Sequence, residues 1–156
     1  MDFSIRAANM EDCKDIARMI MLQVHNKPCC DYLSDMENIL VNTSHFSRFH
    51  IFDCLLSGHT KIGYALYFYS YSWLGRGIYM EDLYVMPEFR GKGIGKALMS
   101  KLGLAAGCSN LKFTVLDWNK PSVDFYVSQG CSDITANFGF HCMRCEGEAL
   151  EHLAQP

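Results

Sequence analysis

The chain has 156 residues, 49% hydrophobic and 20% charged, with a formal net charge of −3. That size and composition predict one folded domain spanning residues 1–156, with a real core rather than a disordered polymer. Lysines and arginines are scattered without a basic stripe and no apolar run reaches membrane-spanning length, which argues against nucleic acid and membrane as partners; mild acidity suits a cationic ligand better than an anionic one.

Met1-Asp2-Phe3-Ser4 lacks the charged-then-apolar start of a secretory signal. With eight cysteines, that points to free thiols in a reducing compartment, the cytosol by default.

In chain order, residues 3–6 alternate as a half-buried strand does. Residues 9–24 carry Met10, Cys13, Ile16, Ala17, Ile20 and Val24 at helical spacing, with Asn9 as N-cap, Asp12 three residues on, and Lys27-Pro28 as the stop. A shorter helix is expected over residues 33–41. Residues 50–56, 61–72 and 77–85 read as three strands, joined by hairpin turns at Ser57-Gly58-His59 and Leu74-Gly75-Arg76-Gly77. A helix over 97–106 and a strand over 111–116 follow. Asn119-Lys120-Pro121-Ser122 opens another helix, capped by the asparagine and stopped at Gly130, and a last strand covers 138–145. The sum is a mixed central sheet flanked by helices, an α/β (α+β) fold.

Between the third of those strands and the helix at 97 lies Arg90-Gly91-Lys92-Gly93-Ile94-Gly95-Lys96. Alternating glycines let the backbone turn tightly and present bare N–H groups, and a helix start adds orphan donors and the positive end of its dipole. Strand, glycine turn and helix N-terminus together make a phosphate cradle. It is not a Walker A loop, because position 90 is arginine and position 97 alanine; nor is it a Gly-x-Gly-x-x-Gly fingerprint, because position 96 is lysine. A basic, glycine-rich surface turn is the plain alternative. The pattern that fits, Arg-x-x-Gly-x-Gly, resembles the pyrophosphate loop of the GNAT acetyltransferases.

The strand before that turn is apolar except for Glu81 and Asp82 at its centre. An unpaired carboxylate in a core strand is costly, so each should have work to do, and strand periodicity sends the two to opposite faces. The alternative is a structural salt bridge to Arg76. Tyr126, beside Val123 and Val127 on the helix after Asn119, is either a core tyrosine or a proton donor facing the same cleft. Trp73, in a run with Tyr67, Tyr69 and Tyr71, is either sheet packing or a pocket wall. Cys142-Met143-Arg144-Cys145 has CxxC spacing, but on a strand residues three apart face opposite ways, so no metal is expected.

The run 79–95, then Val115-Leu116-Asp117-Trp118-Asn119, then Phe125-Tyr126 and Gly130, resembles the diamine acetyltransferase branch of the GNAT superfamily, the spermidine/spermine N1-acetyltransferase-like enzymes, over nearly the whole chain. Residues 69–77, Gly139-Phe140-His141 and Glu146-Gly147-Glu148-Ala149 lean to its thialysine Nε-acetyltransferase type. The resemblance implies acetyl-coenzyme A as co-substrate, with Leu83, Tyr84 and Val85 on the pantetheine arm and thioester. It implies Arg90, Gly91, Lys92, Gly93, Ile94, Gly95 and Lys96 around the pyrophosphate, and Asn119 and Ser122 touching the coenzyme. Tyr126 would be the general acid, Glu81 the base acting through water, and Glu81, Asp82 and Trp73 would meet the amine. A cytosolic homodimer is implied as well.

The chemistry agrees. A primary amine of pKa near 10.4 needs roughly 4.6 kcal/mol to lose its proton at pH 7, so the cleft must attract the cation and then carry a proton away. A strand N–H can stabilise the oxyanion formed at the thioester. Residues 24–30 lack the carboxylates that polyamine-handling members have, and Ser72 precedes Trp73 where those have acid nearby. A short amine, such as the thialysine or lysine side chain or a small diamine, is therefore favoured over spermidine or spermine. Rival readings are an acyl-coenzyme A-binding regulatory protein without catalysis and an enzyme for protein lysines or N-termini.

Overall fold

Asn9 sets the start of the first helix. In the computed structural model, which describes residues 2–24, 50–56, 60–73, 75–104, 107–139, 143 and 145–153, its side chain accepts a hydrogen bond from the Glu11 N–H at 3.0 Å. Its own N–H donates to Asp12 Oδ2 at 2.8 Å, closing the reciprocal cap that the spacing announced. A 3₁₀ turn, Met10–Asp12, leads into α1, Cys13–Val24. Cys13, Ile16, Ala17, Met19 and Ile20 are buried, whereas Met10 is exposed because it belongs to the preceding turn. The helix expected over 33–41 and the turn at 57–59 lie outside the described residues.

The sheet runs in the order β1 (Phe3–Ala7), β2 (His50–Leu56), β3 (Thr60–Ser72), β4 (Gly75–Val85) and β5 (Leu111–Lys112). The first three pairings are antiparallel and β4–β5 is parallel, so the sheet is mixed as expected. The β3–β4 hairpin is tighter than the glycines suggested: Ser72 pairs with Gly75, so Gly75 and Arg76 belong to the strand. One face of the sheet packs α1 against Ile51, Tyr64, Leu66 and Tyr84. In α2, Ile94–Leu104, the residues Ile94, Leu98 and Leu102 recur every fourth position and are buried. This helix begins three residues before the expected start at 97, because Ile94 is already core.

A buried ion-pair network ties β1, α1 and β3 together. Asp12, 3% exposed, accepts both prongs of the Arg6 guanidinium at 2.7 and 2.8 Å, and Lys61 reaches Asp12 at 3.0 Å and Asp15 at 2.8 Å. No sequence pattern singled out this cluster, since its members come from four elements: β1, the 3₁₀ turn, α1 and β3.

The chain divides into two compact units, Met1–Thr114 and Val115–Pro156. The second holds α3 (Lys120–Ser128), α4 (Ile134–Phe138) and α5 (Glu148–Leu153). Asn119 stands at the start of α3, but its carbonyl rather than its side chain caps it, accepting from the Ser122 and Val123 N–H groups. Gly130, at φ 87°, ends that segment as expected.

Two strand expectations fail. Residues 111–116 pair only at Leu111 and Lys112. Phe138 does not open a strand but closes α4, whose start is capped by Asp133 and whose end is turned by Gly139 at φ 67°. Two local caps outweigh an apolar run. Residues 140–142 and 144 lie outside the described set, and Met143, Cys145 and Glu146 have no regular structure. Cys142 is among the former, so the strand geometry expected for the CxxC pair lies outside the described residues.

Candidate active site

The two carboxylates stand at an irregularity in β4. Leu66 pairs with Asp82 and Tyr67 with Met80, leaving Glu81 as the extra residue of a β-bulge. Tyr79 pairs with Phe68 and Asp82 with Leu66, so residues three apart share a face and the alternation breaks at Glu81. The register fixes the face of Asp82 and removes the strict alternation on which opposite faces for Glu81 and Asp82 rested. Glu81 is exposed and Asp82 half-buried. Arg76, the candidate partner for a structural salt bridge, instead lies over the Tyr69 ring, 4.0 Å from its centroid.

Asp82 is held by uncharged donors. The Gln23 amide donates to Oδ1 at 2.8 Å and the Tyr64 hydroxyl to Oδ2 at 2.5 Å, with Gln23 Oε1 3.1 Å from the same hydroxyl. Tyr64 has no exposed surface. Burial, and after it the Asp82 carboxylate, drives its phenol well above the ordinary range, so it stays a neutral donor. Sequence reasoning missed Tyr64 and Gln23 entirely; an aromatic in a strand and an amide in a helix look ordinary until the fold brings them to Asp82.

Past the bulge, β4 keeps its β3 partner but loses β5. The parallel pairing stops at Tyr79–Lys112, so among the described residues no strand pairs with Leu83, Tyr84 and Val85 on that side. Bulges bend and twist a strand, and this one falls where the pairing ends. On the other side β3 approaches closely: a Cβ on Gly63 would lie 2.7 Å from the Tyr84 carbonyl oxygen. Gly63→Ala should therefore displace Tyr84 and cost about 1–3 kcal/mol. Thermal denaturation would show this as a fall of about 2–4 °C per kcal/mol; an unchanged midpoint would refute it. Burial also raises the Tyr84 phenol, with Glu88 adding to it and Arg90 and Arg18 opposing.

The glycine turn has the conformation its composition demanded. A 3₁₀ turn, Pro87–Phe89, is followed by Gly91 at φ 72° and Gly93 at φ 80°, both facing open space. The Gly93 carbonyl accepts the first helical bond from Ala97 at 3.0 Å, leaving the Ile94, Gly95 and Lys96 N–H groups without a carbonyl inside α2. Arg90 Nε donates to the Val85 carbonyl at 2.8 Å and Lys92 Nζ to the Glu88 carbonyl at 3.1 Å, which ties the turn to the end of β4. Exposed cations, free helix donors and left-handed glycines together fit a pyrophosphate.

The remaining expected residues belong to other elements. Trp73 is fully exposed at the tip of the β3–β4 hairpin, seven residues along β3 from the partner of Asp82, or roughly 23 Å at strand rise. Asn119, Ser122 and Tyr126 belong to the second unit, where Ser122 and Tyr126 are half-buried on α3 and the Tyr126 ring lies 5.3 Å from that of Phe125. The carboxylate-poor segment after α1 lies outside the described residues beyond Val24.

A bulged strand bearing two carboxylates, a strand edge unpaired among the described residues and a cationic glycine turn at a helix start suit an anionic ligand beside carboxylates. The chain belongs to the acetyltransferase (GNAT) family, whose model matches residues 11–131 and whose donor is acetyl-coenzyme A. It is 40% identical over 164 residues to the thialysine N-epsilon-acetyltransferase of Bos taurus, covering 96% of each chain. It is 31% identical over 96 residues to the L-ornithine N5-acetyltransferase of Arabidopsis thaliana, covering 58% of this chain and 41% of that protein. Its fold matches an integron cassette protein from V. cholerae with a TM-score of 0.80 at 27% identity, over 100% and 99% of the two chains. It also matches an aminoglycoside N-acetyltransferase in complex with CoA at a TM-score of 0.67 and 20% identity, over 92% and 96%, a likeness of fold alone.

Proposed function

We propose that this acetyltransferase moves the acetyl group of acetyl-coenzyme A to the primary amine of a small molecule, a thialysine- or lysine-like side chain or a short diamine. The observation that carries the reading is β4 itself, with Glu81 and Asp82 at its bulge, a free edge at Leu83–Val85, and the cationic glycine turn at its end. The similarity to thialysine N-epsilon-acetyltransferases supports the choice of amine. The family match runs from the first compact unit into the second, as far as residue 131, which fits one acetyltransferase domain.

Bound acetyl-coenzyme A supplies an activated thioester. The N–H groups at the start of α2, with Arg90, Lys92 and Lys96, hold its phosphates, and Asn119 and Ser122 add contacts from α3. Asp82 holds the ammonium, Glu81 takes its proton through a water, and a β4 N–H among Leu83–Val85 stabilises charge at the acetyl oxygen. Tyr126 gives its phenolic proton to the departing sulfur. We place the protein in the cytosol as a homodimer; in the described residues no helix is long and apolar enough to cross a membrane.

The test is free-thiol release from acetyl-coenzyme A across thialysine, lysine, short diamines and polyamines. Turnover of the first three above spermidine and spermine is the expected result, and silence across the panel refutes the reading. Preference for a polyamine would move the assignment to the N1-acetyltransferase type. A regulatory acyl-coenzyme A-binding protein would bind the donor without turnover, and Tyr126→Phe would change nothing.

A further inference from the structure

This protein treats two of its carboxylates, Asp12 and Asp82, differently. Asp12 is neutralised by two cations, Arg6 and Lys61. Asp82 receives two hydrogen bonds, one from Gln23 and one from Tyr64, and both donors are uncharged. Among the described residues no lysine, arginine or histidine nitrogen forms an ion pair with it. Hydrogen bonds from neutral groups fix a carboxylate's orientation and offset part of its desolvation, but they leave its charge in place. A half-buried carboxylate so supported is oriented without being neutralised by these two donors.

We propose that Tyr64 and Gln23 are positioning residues for the amine, acting through Asp82: they lock its carboxylate beside the Glu81 bulge while keeping its charge free for one ammonium. This rests on the small-amine reading above. Tyr64, without exposed surface, anchors the network from β3, and Gln23 brings in the last turn of α1. Gln23 and Tyr64 also lie within hydrogen-bond distance of each other, so each restrains the other's geometry. Because the Tyr64 phenol stays protonated, its donor role persists across the working pH range.

Three variants separate this role from a structural one. Tyr64→Phe and Gln23→Met each delete one donor with little change of volume. Gln23→Lys offers the carboxylate a donor of opposite charge, which satisfies it structurally yet neutralises it. Steady-state kinetics with the best amine of the panel, thermal denaturation and calorimetric titration with coenzyme A are run on all three.

Loss of one hydrogen bond to a charged group should raise the amine KM roughly tenfold in Tyr64→Phe and Gln23→Met, with kcat within about threefold. Gln23→Lys should melt no lower than wild type, bind coenzyme A unchanged, and show a KM increase at least as large. A purely structural role predicts the opposite for Gln23→Lys, an unaltered amine KM, and that result overturns the inference. So do folded Tyr64→Phe and Gln23→Met proteins with an unchanged amine KM. Wild-type protein that binds coenzyme A but acetylates no amine overturns the functional reading and, with it, this inference; an active wild type with indifferent variants overturns the inference alone.

Discussion

Asp12→Asn is expected to destabilise the protein by about 3–5 kcal/mol, because removing one partner of a buried ion pair leaves the others uncompensated. Lys61, only 10% exposed, would lose the carboxylate 3.0 Å away, and the Arg6 fork and the helix cap at Asn9 would each lose an acceptor. In a domain of this length about 3 kcal/mol lowers the melting temperature by roughly 6–12 °C. The effect also has a signature in pH. Hydrogen bonding from Arg6 holds the Asp12 carboxyl well below its ordinary value of 3.8; burial opposes this, and the Asn9 N–H and Lys61 add to it. A group whose folded pKa is depressed contributes fully above its unfolded value and loses that contribution as pH falls below it. Lys61 runs the other way. Burial pulls its pKa down, but hydrogen bonds to Asp15 and Asp12 bring it net above 10.5, so its contribution is complete below that pH and fades above it. Denaturant titrations across this range should show a wide gap between wild type and Asp12→Asn at neutral pH, narrowing below about pH 3.8. A gap under about 1 kcal/mol at pH 7 would show the network to be worth no more than an exposed pair.

Glu81→Gln is expected to lower kcat for the preferred amine by about a hundredfold, within the range that general bases contribute. Glutamine keeps the shape of the side chain and removes its capacity to take a proton. Freeing the amine's lone pair at pH 7 costs roughly 4.6 kcal/mol, and without a carboxylate relay that cost falls on water alone. Since Glu81 is exposed at the bulge, stability should stay within about 0.5 kcal/mol and coenzyme A binding should not change. Calorimetry and thiol-release kinetics on the same preparation check both halves. A kcat within threefold of wild type would remove Glu81 from the chemistry and leave Asp82 as the carboxylate to examine.

Local features were legible in the residues alone. The Asn9–Asp12 cap, the stop at Gly130 and the glycine turn at 90–96 each depend on neighbours within about four positions, so spacing alone could reveal them. The same holds for the carboxylates in an apolar strand, whose oddity is visible without a fold. It does not hold for which way they face. The bulge at Glu81 arises from how β4 registers against β3, and register is a relation between residues far apart in sequence. Tyr64 and Gln23 come to Asp82 from β3 and α1, and Arg6, Asp12 and Lys61 meet from three elements. Phe138 shows the limit from the other side: its apolar neighbourhood suggested a strand, but the caps at Asp133 and Gly139 made it the end of a helix. The amino-acid order by itself determined the glycine turn and the family it resembles, because those are written in contiguous residues. Only the tertiary structure decided which carboxylate meets cations and which, among the described residues, meets uncharged donors, because that depends on partners the chain supplies from a distance.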